Sequence, residues 1–327
     1  MAKVTLRDVA EAAGVSIATA SWAVNDNRDV RITESTRRKV RRAADELGYH
    51  HNALARGLAR GRSDIIGFIS DGVATSPFAG QVIQGAQDEA WRNGKILLVV
   101  DTDGRKDVER RTFSFMFEHQ VEGIIYSKWV HGSITPPDEL GRMPSVLVNC
   151  YDERGRFPAV VPDEVQGGAT ATRLLLEAGH RRIAFVNDAA LARFDVDFDP
   201  SLVLSVTADQ EGGYGAAAQV LATGVTGVFC HNDRTALGLY DALRESGKRV
   251  PDDISVVGFD NQEVISAHMH PALTTVGLPQ HDLGVMGVRT LLRRCGADND
   301  ESEIVSERFE PVHVQCPAVP RNSVRTL

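Results

Sequence analysis

The apolar positions of this chain keep one period near its start and another over the rest. Between Thr5 and Gly48 they recur at helical spacing. Leu6, Val9, Ala10 and Ala13 form a first stripe, which Thr5 and Asp8 open in the manner of a capping box and Gly14-Val15 closes. Ser16 caps a second helix, Ile17 to Val24. Thr33 caps a third, in which Val40, Ala43, Ala44 and Leu47 share a face and Gly48 supplies the stop. One glycine-containing turn separates the first two helices, and the small Ala10, Ala13 and Ala20 let them cross closely. That is the spacing of a helix-turn-helix, whose second helix enters the major groove of DNA.

From Asp64 the period changes. Short continuous apolar runs, IIGFIS (65–70), KILLVV (95–100), GIIYS (123–127) and SVLVN (145–149), alternate with amphipathic stretches at about 78–92 and 107–119. The second half repeats this with RIAFV (182–186), LVLSV (202–206), GVFC (227–230) and ISVVGF (254–259), separated by helices at 165–178, 211–222 and 233–246. Fully apolar strands alternating with amphipathic helices predict parallel sheets covered on both faces. The expected fold class is an α-helical helix-turn-helix head plus an α/β body of two parallel-sheet lobes with a cleft between them. The head spans 1–50, a linker 51–63 and the body 64–320. Lobe 1 takes about 64–150 and 277–305, and lobe 2 about 151–276 and 306–320.

Charge sharpens this division. The chain carries 36 Lys+Arg against 44 Asp+Glu, a net −8. Residues 1–62 hold 12 basic and 7 acidic side chains, a balance of +5, so the remainder stands at −13. Attraction to a polyanion therefore acts through the head alone. Cys150, Cys230, Cys295 and Cys316 lie far apart in sequence, which suits reduced thiols better than a disulfide frame or zinc site. With no signal-peptide pattern and no apolar stretch of membrane-spanning length, a cytoplasmic protein without a membrane partner is expected.

The runs VTLRDVAEAAGVSIATASWAVN and ITESTRRKVRRAADELGYHHNALARGL resemble the head and hinge of the lactose-repressor/galactose-repressor (LacI/GalR) family, and the likeness continues through nearly the whole chain. The resemblance implies a transcription regulator, usually a repressor, that binds a pseudo-palindromic operator as a homodimer and answers to a small-molecule effector, usually a sugar. It places Ile17, Ala18 and Trp22 at the bases, with Thr5, Leu6, Ser16, Thr19, Ser21 and Asn25 around them, several as phosphate anchors. It also implies a hinge helix that folds on the operator, with Asn52 as its cap, Ala55 in it, and Leu58 as an apolar wedge in the minor groove. An ordinary linker leucine is the alternative for Leu58. Many members carry arginine at the position of Trp22; an indole lacks the two-pronged grip on guanine, so readout here leans on thymine methyls and steric exclusion, unless Trp22 packs on the head instead.

For the body, the resemblance implies effector contacts from Phe78 and Asn149 in lobe 1, and from Asn232 (in HNDRTALG) and Asp260 (in VVGFDN) in lobe 2. Asn-Asp and Asp-Asn pairs are also good turn formers. Relatives usually place a full helix with an effector-binding arginine between the strands matching RIAFV and LVLSV. Only residues 187–201 stand there, with Arg193 as the single candidate. A crossover needs about a dozen residues, so closure with one or two helical turns is expected, over a thinly covered sheet face. The effector response is either altered or lost in consequence.

Other functions find little support. No phosphate-binding loop, dinucleotide fingerprint, nucleophile elbow or H-E-x-x-H occurs, so neither an enzyme nor a cofactor is expected. His268 and His270 lack a third ligand nearby in sequence, so no metal is expected. An exported solute-binding protein would match the body but not the head. After Pro311 no leucine heptads follow, which predicts a dimer rather than a tetramer.

Overall fold

In the computed structural model, the described residues are 4–25, 30–49, 63–73, 80–188, 199–296 and 308–327. Contacts divide the chain into two units, Met1–Ser63 and Asp64–Leu327.

The first unit holds α1 (Leu6–Ala12), α2 (Ile17–Val24) and α3 (Glu34–Leu47). Each start is fixed by a hydroxyl cap: Thr5 on Asp8 N–H, Ser16 on Thr19 N–H and Thr33 on Thr36 N–H. Val9, Ala10, Ala13, Ala20, Ala23, Val40, Ala43 and Ala44 bury themselves between the helices. So many alanines hold the axes close. Gly48, at φ 64°, closes α3 in the left-handed conformation that a side chain would strain.

The second unit contains two six-stranded sheets of the same winding. The first runs β11-β5-β4-β3-β1-β2 and the second β12-β10-β9-β8-β6-β7. In the first lie β1 (Ile65–Asp71), β2 (Ile96–Asp101), β3 (Gly123–Lys128), β4 (Ser145–Val148), β5 (Ala159–Pro162) and β11 (Val312–Val314), all parallel. The second holds β6 (Ile183–Asp188), β7 (Val203–Val206), β8 (Gly227–Cys230), β9 (Ser255–Asp260) and β10 (Thr274–Gly277), closed by the antiparallel β12 (Ala318–Val319).

Side chains alternate across both sheets, as strand pleating requires. Ile66, Phe68, Ile125, Val146, Val148 and Val160 pack under α4 (Gly80–Arg92) and α10 (Gln280–Gly296). Their neighbours Ile69, Ile124, Tyr126, Leu147 and Val161 face the opposite way, toward α5 (Lys106–Glu118). In the second lobe Ala184, Val186, Val228 and Val256 meet α7 (Gln210–Thr223) and α8 (Asp233–Glu245), with Ile265 of the one-turn α9 (Glu263–Ser266) packed against the same cluster. Ile183, Phe185, Phe229 and Val257 meet α6 (Glu164–Glu177). Where α4 crosses α10 the contact is backbone to backbone. A Cβ on Gly284 would run into the Val82 carbonyl, and one on Gly85 into that of His281.

One expectation changes. The first lobe does not end near 150: β5 continues its sheet to Pro162, and β11 brings residues 312–314 back into it, so 306–320 is shared between lobes. These strands are only four and three residues long, too short for their period to stand out. The short crossover does close, since β6 and β7 are parallel neighbours in register Phe185↔Val203 to Asp188↔Val206. On that face Phe185 is buried, stacks on Phe229 at 4.8 Å and shares a core with Ala171 and Leu175 of α6, whereas Val203 and Ser205 of the edge strand β7 are half-buried and exposed.

Candidate DNA interface and ligand cleft

The head offers one polar and apolar face clear of its core. On α2, Ala20 and Ala23 point inward, whereas Ile17, Ala18, Ser21, Trp22 and Asn25 recur at helical spacing on the other side. Ile17 is 46% exposed and Trp22 38%. Trp22 is therefore not absorbed into the head's core. The hydroxyls at the start of α2 are pre-set, Ser16 Oγ lying 2.8 Å from Thr19 Oγ1 and accepting Thr19 N–H at 3.0 Å. At its end, Asn25 Nδ2 donates to the Ser21 carbonyl (2.9 Å) and to Ser21 Oγ (3.2 Å), fixing both as a unit. Thr5 is tied to Asp8 through its N–H and its hydroxyl, each 2.7 Å from Oδ2. Leu6 is the exception, half-buried against the head's core. Asn52, Ala55 and Leu58 lie outside the described residues.

The body carries a cleft of about 1070 Å³ at the carboxyl ends of its strands. Lobe 1 contributes Asp71 at the end of β1, Lys128 and Trp129 at the end of β3, His131 beyond it and Asn149 after β4. Lobe 2 contributes Glu164, Arg234, Asp260, Gln262 and Glu263, while Leu278 and Gln280 lie where the chain crosses back. Among the described residues, His131 Nδ1 meets Glu164 Oε2 across the two lobes at 3.0 Å. Asp71 holds its corner together by accepting Lys128 Nζ at 2.7 Å and Trp129 N–H at 2.8 Å.

The resemblance-derived residues divide here. Asn149 and Asp260 both line the cleft, and both adopt positive φ, 59° and 96°. Asn149 spends its Nδ2 on the carbonyls of Lys128 (2.9 Å) and Trp129 (3.1 Å), pinning the end of β4 to the end of β3. Asp260 Oδ2 accepts Gln262 Nε2 at 3.0 Å. Burial, reinforced by the charge of nearby Asp233, raises the Asp260 pKa well above the ordinary carboxylate value. Burial likewise pushes Asp233 up to about 7, against hydrogen bonds from Thr275 Oγ1 and Gln262 N–H, both at 2.6 Å.

Asn232 is not in the cleft wall. Its Oδ1 caps α8 by accepting Thr235 N–H at 2.8 Å, and its Nδ2 donates to the Ala208 carbonyl at 3.2 Å. It fixes the start of the helix that carries Arg234 into the wall. Phe78 and Arg193 lie outside the described residues. Lys128, Trp129, His131, Glu164, Arg234, Gln262 and Gln280 were not singled out from sequence. Their one signal was position, just past a strand end or at a helix start.

Comparison with known proteins agrees with this architecture at both ends. Residues 5–52 match the bacterial regulatory proteins of the lacI family, and residues 172–323 a periplasmic binding protein-like domain. An HTH-type transcriptional repressor PurR from Vibrio atlanticus is 32% identical over 99% of this chain and 99% of its own length. The chain belongs to the lacI family of bacterial regulatory proteins. Catabolite control protein A from Priestia megaterium is 30% identical over 92% of this chain and 96% of its own. Among solved structures, a lac repressor dimer bound to operator and the anti-inducer ONPF superposes with a TM-score of 0.77 at 25% identity, covering 99% of this chain and 100% of that one. A lacI-family regulator from Enterococcus faecium with bound ribose gives 0.60 at 26% identity, over 80% and 99% of the two chains. These relatives are regulators rather than enzymes. Among the described residues no helix is long and apolar enough to cross a membrane.

Proposed function

We propose that this lacI-family chain is a cytoplasmic, homodimeric repressor without catalytic activity, which reads a two-fold operator through α2 and binds a small polar effector in the body cleft. The observation that carries this reading is the free face of α2. Ile17, Ala18 and Trp22 stand clear of the core on a helix whose ends are fixed by Ser16 and Asn25, on the only net-basic part of the chain. Such a face reads thymine methyls and groove shape, while Thr5, Ser16, Thr19 and Ser21 donate to phosphates. Leu6 supports the start of α1 from beneath. On the resemblance, Asn52, Ala55 and Leu58 form the hinge helix and its wedge.

A single three-helix head offers few contacts, and two heads on one dimer multiply affinity through effective concentration. The edge strand β2 supplies a surface for the second copy. Ile96 on it is 62% exposed and Trp91 of α4 60%, and an unpaired apolar edge is costly to leave in water. In the cleft, Asp260 contacts the effector, Asn149 shapes the wall, Asn232 sets Arg234, and Phe78 and Arg193 extend the site.

The test is to sequence the genomic DNA retained by the purified protein and to titrate the recovered site against salt. The expected result is a pseudo-palindrome whose affinity falls by orders of magnitude between low and physiological salt. Residues 64–327 alone should retain no DNA. A flat salt response, or DNA retention by the body alone, overturns the assignment.

A further inference from the structure

The cleft lies at the carboxyl ends of the strands, and the opposite end of the lobe 1 sheet carries a cluster of buried charges. Asp64, Lys95 and Glu122 each stand immediately before the first residue of a strand, β1, β2 and β3 in turn, and these strands are neighbours with β1 in the middle. Lys95 Nζ donates to Asp64 Oδ1 at 2.9 Å and to Glu122 Oε1 at 2.7 Å, and Glu122 Oε1 also accepts the Asp64 N–H at 3.1 Å. The Asp64 carbonyl accepts Ile96 N–H at 2.9 Å. The N–H, carbonyl and carboxylate of this one residue are thus all tied to the starts of the flanking strands. Asp64 is held there at φ 57°. The side chains of Lys95 and Glu122 are only 13% and 10% exposed. Burial by itself lowers the pKa of Lys95, but the hydrogen bonds to Glu122 and Asp64 outweigh it and raise the value, so the ammonium keeps its charge.

Cohesion of the sheet does not account for the triad. β1 pairs with β2 from Ile65↔Ile96 onward and with β3 from Ile66↔Gly123 onward, through backbone ladders of their own. A buried ion cluster adds little net stability, because desolvation of its charges offsets their attraction and an apolar set of similar volume often does as well. Such a cluster does fix geometry, since each partner must sit at hydrogen-bond distance. The residue fixed in this way is Asp64, the first of the body unit, where the chain arrives from the head.

We propose that Asp64, Lys95 and Glu122 form a positioning device for operator binding, which holds the chain at its entry to the body in one place and one backbone conformation. The proposal rests on the reading of the chain as a dimeric operator-binding regulator. Two heads on one dimer gain affinity through effective concentration, and that gain falls as the tether between them lengthens or loosens. A residue that becomes fixed only on binding costs about tenfold in affinity for its backbone alone, and a dimer has two such entries. Asp64 held in advance removes that cost from specific binding. Non-specific binding, carried by attraction of the basic head to phosphates, needs no fixed spacing between heads and gains nothing from the triad.

The experiment uses the full chain and two duplexes of equal length, the site recovered by genomic selection and a random sequence, titrated by fluorescence anisotropy well below the melting transition. Lys95→Met removes the ammonium that joins the two carboxylates. The double variant Lys95→Met/Glu122→Met replaces the buried charges with apolar side chains of similar volume and should melt within a few degrees of wild type. Both variants should lose about tenfold or more on the recovered site and less than about twofold on the random duplex. The active fraction from stoichiometric titration and the salt slope on each duplex should stay unchanged, because the phosphate contacts are the same. Wild-type affinity for the recovered site in either variant overturns the proposal, as do equal losses on the two duplexes. A loss that appears as a smaller active fraction, or a double variant that fails to fold, also overturns it, since the triad then serves the stability of the sheet. If the wild-type chain itself shows no preference for a recovered site, the regulator reading beneath the proposal fails instead.

Discussion

Asn149→Ala separates a shaping role for this residue from a purely ligand-binding one, because its consequences are written into the unliganded protein. The wild-type amide donates to two carbonyls, at 2.9 and 3.1 Å, and holds the residue after β4 at φ 59°. Losing two such bonds costs about 1 kcal/mol each. Alanine in the left-handed region adds roughly 1 kcal/mol that asparagine largely avoids. The sum is about 2–4 kcal/mol, and at about 2–4 °C per kcal/mol for a unit of this size it lowers the melting temperature by roughly 5–10 °C. Asn149→Gly loses the same bonds but not the backbone term, so it should lie between wild type and alanine, about 0.5–1 kcal/mol above the latter. Calorimetric melting of the three proteins without ligand, with urea midpoints as a second measure, checks the order. An alanine variant as stable as wild type would show that the bonds to Lys128 and Trp129 hold nothing in place, and that Asn149 serves the ligand alone.

Trp22→Ala should weaken operator binding by about tenfold or more while leaving the melting of the head unchanged, as expected of a side chain outside the core; fluorescence anisotropy and calorimetry read the two effects. Glu89, held by Arg289 Nε at 2.9 Å and Nη2 at 3.2 Å, has its pKa lowered chiefly by that pair, so its stabilisation is full above the ordinary carboxylate value of 4.5 and fades as pH falls through the lower folded value. Glu89→Gln should therefore flatten the acid limb of the stability curve, and an unchanged limb in urea titrations would refute the coupling. Leu58→Ala should reduce affinity for the operator much more than for random DNA, whereas equal losses on both would make Leu58 a plain linker residue. Arg193→Ala should abolish the effector response if that side chain reaches the ligand, and a response identical to wild type removes it from the site.

The elements were legible where burial on both faces left continuous apolar runs, as in IIGFIS and SVLVN, and where a hydroxyl cap announced a helix, as at Thr5, Ser16 and Thr33. Short strands escaped because three or four residues carry no period, so β5 and β11 surfaced only through their partners. The exposed face of α2 was legible because one helix supplies it and its spacing is local. The cleft was legible only in part, since its wall is assembled from the ends of strands far apart in the chain. Asp260 announced itself in an Asp-Asn turn, but nothing around Lys128, Trp129 and His131 distinguished them from any residues leaving a strand. Asn232 shows the opposite limit. The resemblance marked Asn232, but its amide oxygen caps α8, and it is the neighbouring Arg234 that lines the cleft.

The lobes are joined by three crossings, and these crossings are bonded to one another. Asp163 N–H, between β5 and α6, donates to the Val314 carbonyl at 2.8 Å; Gly277 N–H, at the end of β10, donates to Pro317 at 2.8 Å. Gln166 clasps Cys316 from both sides, accepting its N–H at 2.8 Å and donating to its carbonyl at 3.3 Å. Any change in the angle between lobes must turn about this bonded group. The cleft touches it directly, through Glu164 and Gln280, and through Asp260, whose carbonyl accepts Leu278 N–H at 3.2 Å. His131 and Glu164 meanwhile pair across the gap. A ligand shifts the lobe angle only by binding one angle better than another. A ligand that replaces His131 as the partner of Glu164 exchanges a contact made at one angle for contacts of its own, and so acts on the hinge without any relay through the rest of the body.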